Sequence, residues 1–276
     1  MLRRTERLII GGLTLLWLLA GCSSSPTGDG APKRRVDISD IPDAVPQPEP
    51  LSRYGNPPHY EVFGKRYYTL TSGKGYTERG IASWYGTKFH GKRTSSGEPY
   101  DMYAMTAAHK QLPLPTYVRV TNLRNGRSAV VKVNDRGPFH ANRIIDLSYA
   151  AATKLGILAE GTGLVEVHTI DPASPSPPPP SQLNAEPDHE RSPDLFIQVG
   201  AFSSHHNAHR LRQRLEQNLS RTIRIQQTDR DGNKLFRVQV GPLPTVEQVD
   251  NLSLQLADLG IQNLHVVIEQ PGLKPH

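Results

Sequence analysis

A single cysteine in 276 residues excludes a disulfide within the chain, and the lack of CxxC and HExxH spacings removes the common zinc frameworks. His205, His206 and His209 do put two rings one helical turn apart. At a polar, linker-proximal helix start they read as surface histidines, so neither metal nor cofactor is expected. No apolar run reaches the about 20 residues of a membrane-spanning helix; the longest, residues 8–19, falls short. Neither sign of charge dominates. With 32 Lys and Arg against 26 Asp and Glu the net charge is +6, a bias as compatible with a solvated surface as with a binding patch.

What is present begins with an export signal: Arg3, Arg4 and Arg7, the apolar run, then Leu19-Ala20-Gly21-Cys22. Those four residues resemble the lipobox of bacterial lipoproteins. The resemblance implies cleavage before Cys22 and lipid, palmitate included, on its sulfur and amine, and several acyl chains make a stable membrane anchor. Ser23 in place of Asp resembles sorting to the outer membrane. The mature chain is therefore expected in the periplasm, tethered to the inner leaflet of the outer membrane, where nucleic acid is no partner and cell wall is the polyanion at hand.

Composition divides the rest. Residues 23 to about 50 and 172–193 are rich in Pro, Ser and Asp and read as linkers too polar to pack. The division is 1–22, signal and lipobox; 23–76, linker with a Tyr-rich approach (YEVFGKRYYTL); 77–171, a first block; 172–193, a proline-rich linker; 194–270, a second block. The first block carries many short strands, an Asn125-Gly126 turn signal and one short helix, SYAAATKL, capped by Asp146 or Ser148 and stopped by Gly156. This predicts a small closed β-barrel. The second reads β-α-β-β-α-β, with helical stripes at Ala208, Leu211, Leu215 and at Val249, Leu252, Leu256, a Thr245/Gln248 capping box, and an Asp231-Gly232 turn. It predicts a ferredoxin-like split α+β fold.

In the first block the unusual polar residues are Glu98, His109 and Asp135. Counting back by twos from Asp135 gives Val133, Val131 and Ala129, so in a regular strand the carboxylate continues the apolar stripe. Arg136 beside it would hold it ionised. Glu98 lies on a Gly-Pro-flanked loop, and His109 follows small residues. An Asp, a Glu and a His at one cleft suit proton transfer at a glycosidic oxygen. The bland reading stays open: a loop charge, a core histidine bonded to backbone, and a turn-former paired with Arg136.

The segments ASWYG, SGE, AAH, VTNL, VNDRGPF and RIIDLSYAAA resemble the double-psi β-barrel of the rare lipoprotein A family, the septal lytic transglycosylases, across essentially the whole block. The resemblance implies a six-stranded double-psi barrel that cuts the bond from N-acetylmuramic acid to N-acetylglucosamine without water, leaving a 1,6-anhydromuramyl end. Because the substrate's own C6 hydroxyl attacks, one acid/base group could serve. Family members use a Glu, a His and an Asp at positions matching Glu98, His109 and Asp135. Asp135 is expected as the proton carrier, with Glu98 and His109 orienting the sugar; an exchange of the Glu98 and Asp135 roles is left open. One departure is Pro115, where the family usually has Gly, and proline cannot take a positive φ.

FIQVGAF and FRVQVGPL resemble a SPOR module, which implies binding to peptide-denuded glycan strands at division septa and a part in daughter-cell separation. Strand parity puts Gln198, Arg237 and Gln239 with Phe196 on the open sheet face, amides and a guanidinium suited to N-acetyl groups and lactyl carboxylates. Two other readings are carried forward: a catalytically silent glycan binder, and a hydrolase with a second carboxylate.

Overall fold

The computed structural model describes residues 29–32, 37–38, 40–173, 193–230 and 233–269. The signal, the lipobox with Cys22, nearly all of the proline-rich linker and the Asp231-Gly232 turn lie outside them. A hairpin, β1 (His59–Val62) and β2 (Lys65–Tyr68), precedes β3 (Thr77–Trp84), β4 (Thr106–His109), β5 (Thr116–Asn122), β6 (Ser128–Asp135), β7 (Arg143–Leu147), helix α1 (Tyr149–Leu155) and β8 (Thr162–Thr169). Strands β3 to β8 close into a six-stranded barrel in the order β3-β7-β4-β6-β5-β8, with β3/β7 and β4/β6 parallel. The second block holds β9 (Asp194–Phe202), α2 (His205–Glu216), β10 (Ile223–Arg230), β11 (Asn233–Leu243), α3 (Val246–Asp258) and β12 (His265–Glu269), its sheet ordered β10-β11-β9-β12. The chain is thus mainly β followed by α+β, as its patterning predicts.

Alternation builds the barrel. Val118, Val120, Val131, Val133, Ile145, Leu147, Val165 and Val167 are fully buried and fill its interior, a set of mainly β-branched side chains suited to a pleated wall. Helix α1 is capped by Ser148, whose Oγ accepts from the Ala151 amide at 3.2 Å, and stopped by Gly156 at φ 73°; Asp146 takes no part in the cap. Gly126 closes the β5–β6 turn at φ 69°. Pro115 is not among the residues with a positive φ, and the Leu114–Pro115 peptide is cis.

Two sequence expectations change. Residues 40–56, within a stretch read as linker, are bound along the barrel. β4 pairs with β6 only from Lys132 onward, which leaves backbone groups of Val130 open. The Ala44 amide donates to the Val130 carbonyl, Asp43 accepts from the Val130 amide, and Ser52 and Asn56 bond the backbone of Leu114. Backbone pairing of this kind needs no apolar side chains, which is why composition missed it. The second change is a pair of β-bulges, one in β6 between Val133 and Asp135 and one in β9 between Gln198 and Gly200. Each shifts the alternation by one residue. Beyond the β9 bulge, Ala201 pairs with Arg237, and a Cβ on Gly200 would meet Leu211 of α2, so Ala201 joins the open face with Arg237 and Gly200 faces the helices.

The two blocks touch. Arg143 makes a two-pronged pair with Asp250 of α3 at 3.1 and 2.7 Å, Asn142 donates to Ser253 at 2.8 Å, and Ile81 and Leu164 of the barrel join the apolar cluster of the second block.

Candidate active site

The β6 bulge decides where Asp135 points. Ala107, facing the interior, pairs with Val133, but the next residue, Ala108, pairs with Asp135. The extra residue, Asn134, lifts the carboxylate out of the interior stripe and onto the outer face, where it is half-buried. Its Oδ1 accepts three hydrogen bonds: from the Ser95 amide at 2.7 Å, the Ser95 hydroxyl at 2.6 Å and the Arg136 amide at 2.7 Å. Among the described residues no hydrogen bond reaches Oδ2. Arg136 does not pair with Asp135 through its guanidinium, contrary to expectation. Its Nε and Nη1 donate to the carbonyls of Gly55 and Leu112 and its Nη2 to Asn56, so the cation serves as a backbone knot behind the corner.

Glu98 sits beside Asp135 because the loop of residues 94–99 is laid over the end of β6. The Ser96 amide donates to the Asn134 carbonyl, and Gly97 adopts φ 103° to fold the loop back. Glu98 Oε2 accepts from Asn134 at 2.8 Å and Oε1 meets Lys132 Nζ at 3.1 Å, the side chain remaining 47% exposed. The same ammonium lies 2.9 Å from Glu49, which Tyr117 also bonds. Lys132 and Asn134 were legible as the polar phase of β6; Ser95 and Glu49 carried no sequence signal. A cavity of about 700 Å³ is lined by Glu49, Pro115, Tyr117 and His168, but by neither Glu98 nor Asp135.

His109 is placed elsewhere. Its side chain is 2% exposed and, one residue on from outward-facing Ala108, turns to the other side of the sheet. Nδ1 accepts from the amides of Gln111 and Leu112, and Nε2 lies 3.0 Å from the Tyr76 hydroxyl, which in turn donates to Glu78. Two amides on Nδ1 put the proton of the neutral ring on Nε2. Burial pushes its pKa down, with Glu78 opposing. Its ring nitrogens bond neither Glu98 nor Asp135, in keeping with a core histidine; its carbonyl accepts from Arg136 at 3.2 Å.

On the second block, Gln198 accepts from Arg237 at 3.0 Å, and Gln239 bonds Arg224 and Gln226. These residues share the sheet face away from the helices. Phe196 and Gln239 are only 4% and 1% exposed, since the Arg224 guanidinium lies 3.5 Å above the Phe196 ring. The surface available to a ligand is therefore Gln198, Arg237 and Arg224. Arg224 was readable from the Ile223/Ile225 alternation but was overlooked. His205 and His209 meet at 3.1 Å. Among the described residues no three His, Cys, Asp or Glu side chains gather as a metal site, and no helix is long and apolar enough to cross a membrane.

Comparison with known proteins fits this architecture. A family model described as lytic transglycolase matches residues 77–168 and one described as SPOR domain matches residues 192–266. The endolytic peptidoglycan transglycosylase RlpA of Vibrio cholerae is 44% identical over 92% of this chain and 94% of its own. That of Pseudomonas aeruginosa strain UCBPP-PA14 is 41% identical over 87% and 85%. The crystal structure of the RlpA SPOR domain from Pseudomonas aeruginosa is 25% identical over 26% of this chain and 96% of that one, with a TM-score of 0.26. Barrel and second block thus occur in the same order, over nearly full length, in relatives of one kind, and the chain belongs to the RlpA family of endolytic peptidoglycan transglycosylases.

Proposed function

We propose that this protein is a lytic transglycosylase that breaks the β-1,4 bond between N-acetylmuramic acid and N-acetylglucosamine inside peptidoglycan strands, with Asp135 at the reacting atoms. The supporting observation is the Asp135 carboxylate, anchored through Oδ1 by three donors and open at Oδ2. A carboxylate so held keeps its direction while a sugar binds, and orientation of that kind lowers the barrier. Asp135 gives a proton to the leaving oxygen as its bond to C1 breaks, the C6 hydroxyl of the muramyl unit attacks C1 and passes its own proton back to Asp135, and the 1,6-anhydro ring closes without water. Glu98, half-exposed at the same strand end, orients the sugar and faces positive charge developing at C1. His109 acts from behind the sheet as a positioning residue, fixing the turn whose carbonyls receive Arg136.

The SPOR domain binds peptidoglycan. Gln198, Arg237 and Arg224 suit N-acetyl groups and carboxylates, and peptide-denuded strands at the septum are the finer reading. Lipidated Cys22 would hold the enzyme on the periplasmic face of the outer membrane. The test is mass spectrometry of glycans released from denuded sacculi by protein lacking residues 1–22. Anhydromuramyl ends, lost with Asp135→Asn, are expected. Reducing ends would indicate a hydrolase instead, and binding without release a silent glycan binder.

A further inference from the structure

The outward row that receives Asp135 contains a second carboxyl group. Ser83 of β3 pairs with Asp146 of β7, Asp146 with Ala108 of β4, and Ala108 with Asp135 of β6. Four neighbouring strands thus line up Ser83, Asp146, Ala108 and Asp135, with one methyl group between the two acids. Strands lie about 4.8 Å apart, so the two aspartate backbones are about 10 Å apart. A spacing of that order leaves room for a glycosidic bond between two carboxyl groups.

The gap is kept open. Gly137 lies against the row at φ 140°, and a Cβ there would stand 3.7 Å from the Ala108 methyl and 3.9 Å from Asp146 Oδ2. A side chain at position 137 would cover the space between the acids. Asp146 is half-buried and takes a hydrogen bond from Ser83. Around it stand Lys110 and Arg143, both cationic, and the acidic Asp29 of the N-terminal segment. Burial outweighs the cations and raises its pKa, which keeps a carboxylic acid protonated further toward neutral pH.

We infer that Asp146 is the proton donor of the reaction, giving its proton to the glycosidic oxygen while Asp135 takes the proton of the attacking C6 hydroxyl. This inference rests on the transglycosylase reading and divides between two residues the work that reading leaves to one. The balance is closed: the C1–O4 bond breaks with its electrons on O4, which receives the Asp146 proton. The C1–O6 bond forms as O6 loses its proton to Asp135. A proton then returns from Asp135 to Asp146 through solvent.

The experiment compares Asp146→Asn and Asp135→Asn in otherwise intact protein, on sacculi and on a glycan carrying fluoride at C1 of its terminal muramyl unit. Fluoride departs with little help from an acid. Asp146→Asn is expected to lower anhydromuramyl release from sacculi by about 10²- to 10⁴-fold yet keep turnover of the fluoride, whereas Asp135→Asn loses both. A second variant guards against misfolding. Ser83→Ala removes a bond that lowers the Asp146 pKa, so the alkaline limb of its pH profile should move to higher pH. Ordinary release by Asp146→Asn would overturn the inference, as would loss of both substrates by a folded Asp146→Asn or an unmoved limb in Ser83→Ala. Ordinary release by Asp135→Asn would remove Asp135 from the reacting atoms, and absence of anhydromuramyl ends from the intact protein would overturn the transglycosylase reading beneath it.

Discussion

Glu49 and Glu98 share one ammonium: Lys132 Nζ stands 2.9 Å from the first carboxylate and 3.1 Å from the second. Glu49 comes from the N-terminal segment and is itself braced by Tyr117, so a residue far from the barrel in sequence fixes the cation that holds Glu98. Removing it frees Lys132 to turn away. Glu49→Gln should leave the fold intact and lower release from sacculi by about tenfold, the scale on which small misplacements act. An unchanged rate would show that Lys132 holds its position without Glu49.

Ser95 supplies two of the three donors on Asp135 Oδ1, one from its backbone and one from its hydroxyl. Ser95→Ala deletes only the hydroxyl. The loss of a hydrogen bond to a carboxylate should cost about 1.5–3 kcal/mol of stability or less, with kcat falling and KM nearly unchanged. A rise in KM with kcat intact would mean that Ser95 serves binding instead.

Arg143 and Asp250 join the barrel to the SPOR domain through a guanidinium whose side chain is 8% exposed. Asp250 gains more from Arg143 and Asn142 than burial costs it, and its pKa is lowered. A carboxylate with a depressed folded pKa stabilises above its ordinary value and loses that contribution as pH falls through the folded one. Docking should therefore weaken in acid. Asp250→Asn should separate one unfolding transition into two, read by calorimetry at neutral pH; a single transition unmoved in temperature would contradict the contact.

His109 is buried neutral, its pKa held below the usual 6.5 mainly by burial. The unfolded chain then binds a proton that the folded one refuses, so this contribution to stability is present above about pH 6.5 and declines as the pH drops toward the folded value. Melting temperature should fall from pH 7 to pH 5, and fall less steeply in His109→Gln. Parallel slopes would assign the acid sensitivity to His140, whose pKa burial also lowers from 6.5.

Much of this was legible in the chain. Alternation and turn chemistry gave the barrel strands, the α1 cap at Ser148 and the β-α-β-β-α-β order, because those signals are local. Glu98 and Asp135 were legible as residues, but their directions were not. A bulge depends on how many residues the neighbouring strand supplies, and parity along β6 or β9 alone has no access to that number. His109 illustrates the same limit, since its neighbour Ala108 faces the acids while the imidazole faces Tyr76. The N-terminal segment was misread because it binds through backbone groups left open by a short partner strand, and composition is silent about those. Asp146 was read as a helix cap from its position before Ser148; only the lateral pairing with Ala108 aligns it with Asp135.

The contact between Asn142, Arg143 and α3 fixes the distance from the sheet face of Gln198 and Arg237 to the row that holds Asp135. Two bodies on a loose tether would cleave a strand anywhere within reach of the grip. Locked together, they measure: with the roles proposed for the sheet face and for Asp135, the sugar that is gripped sets which bond is cut, and fragments should come in steps with a shortest length, as from a gauge.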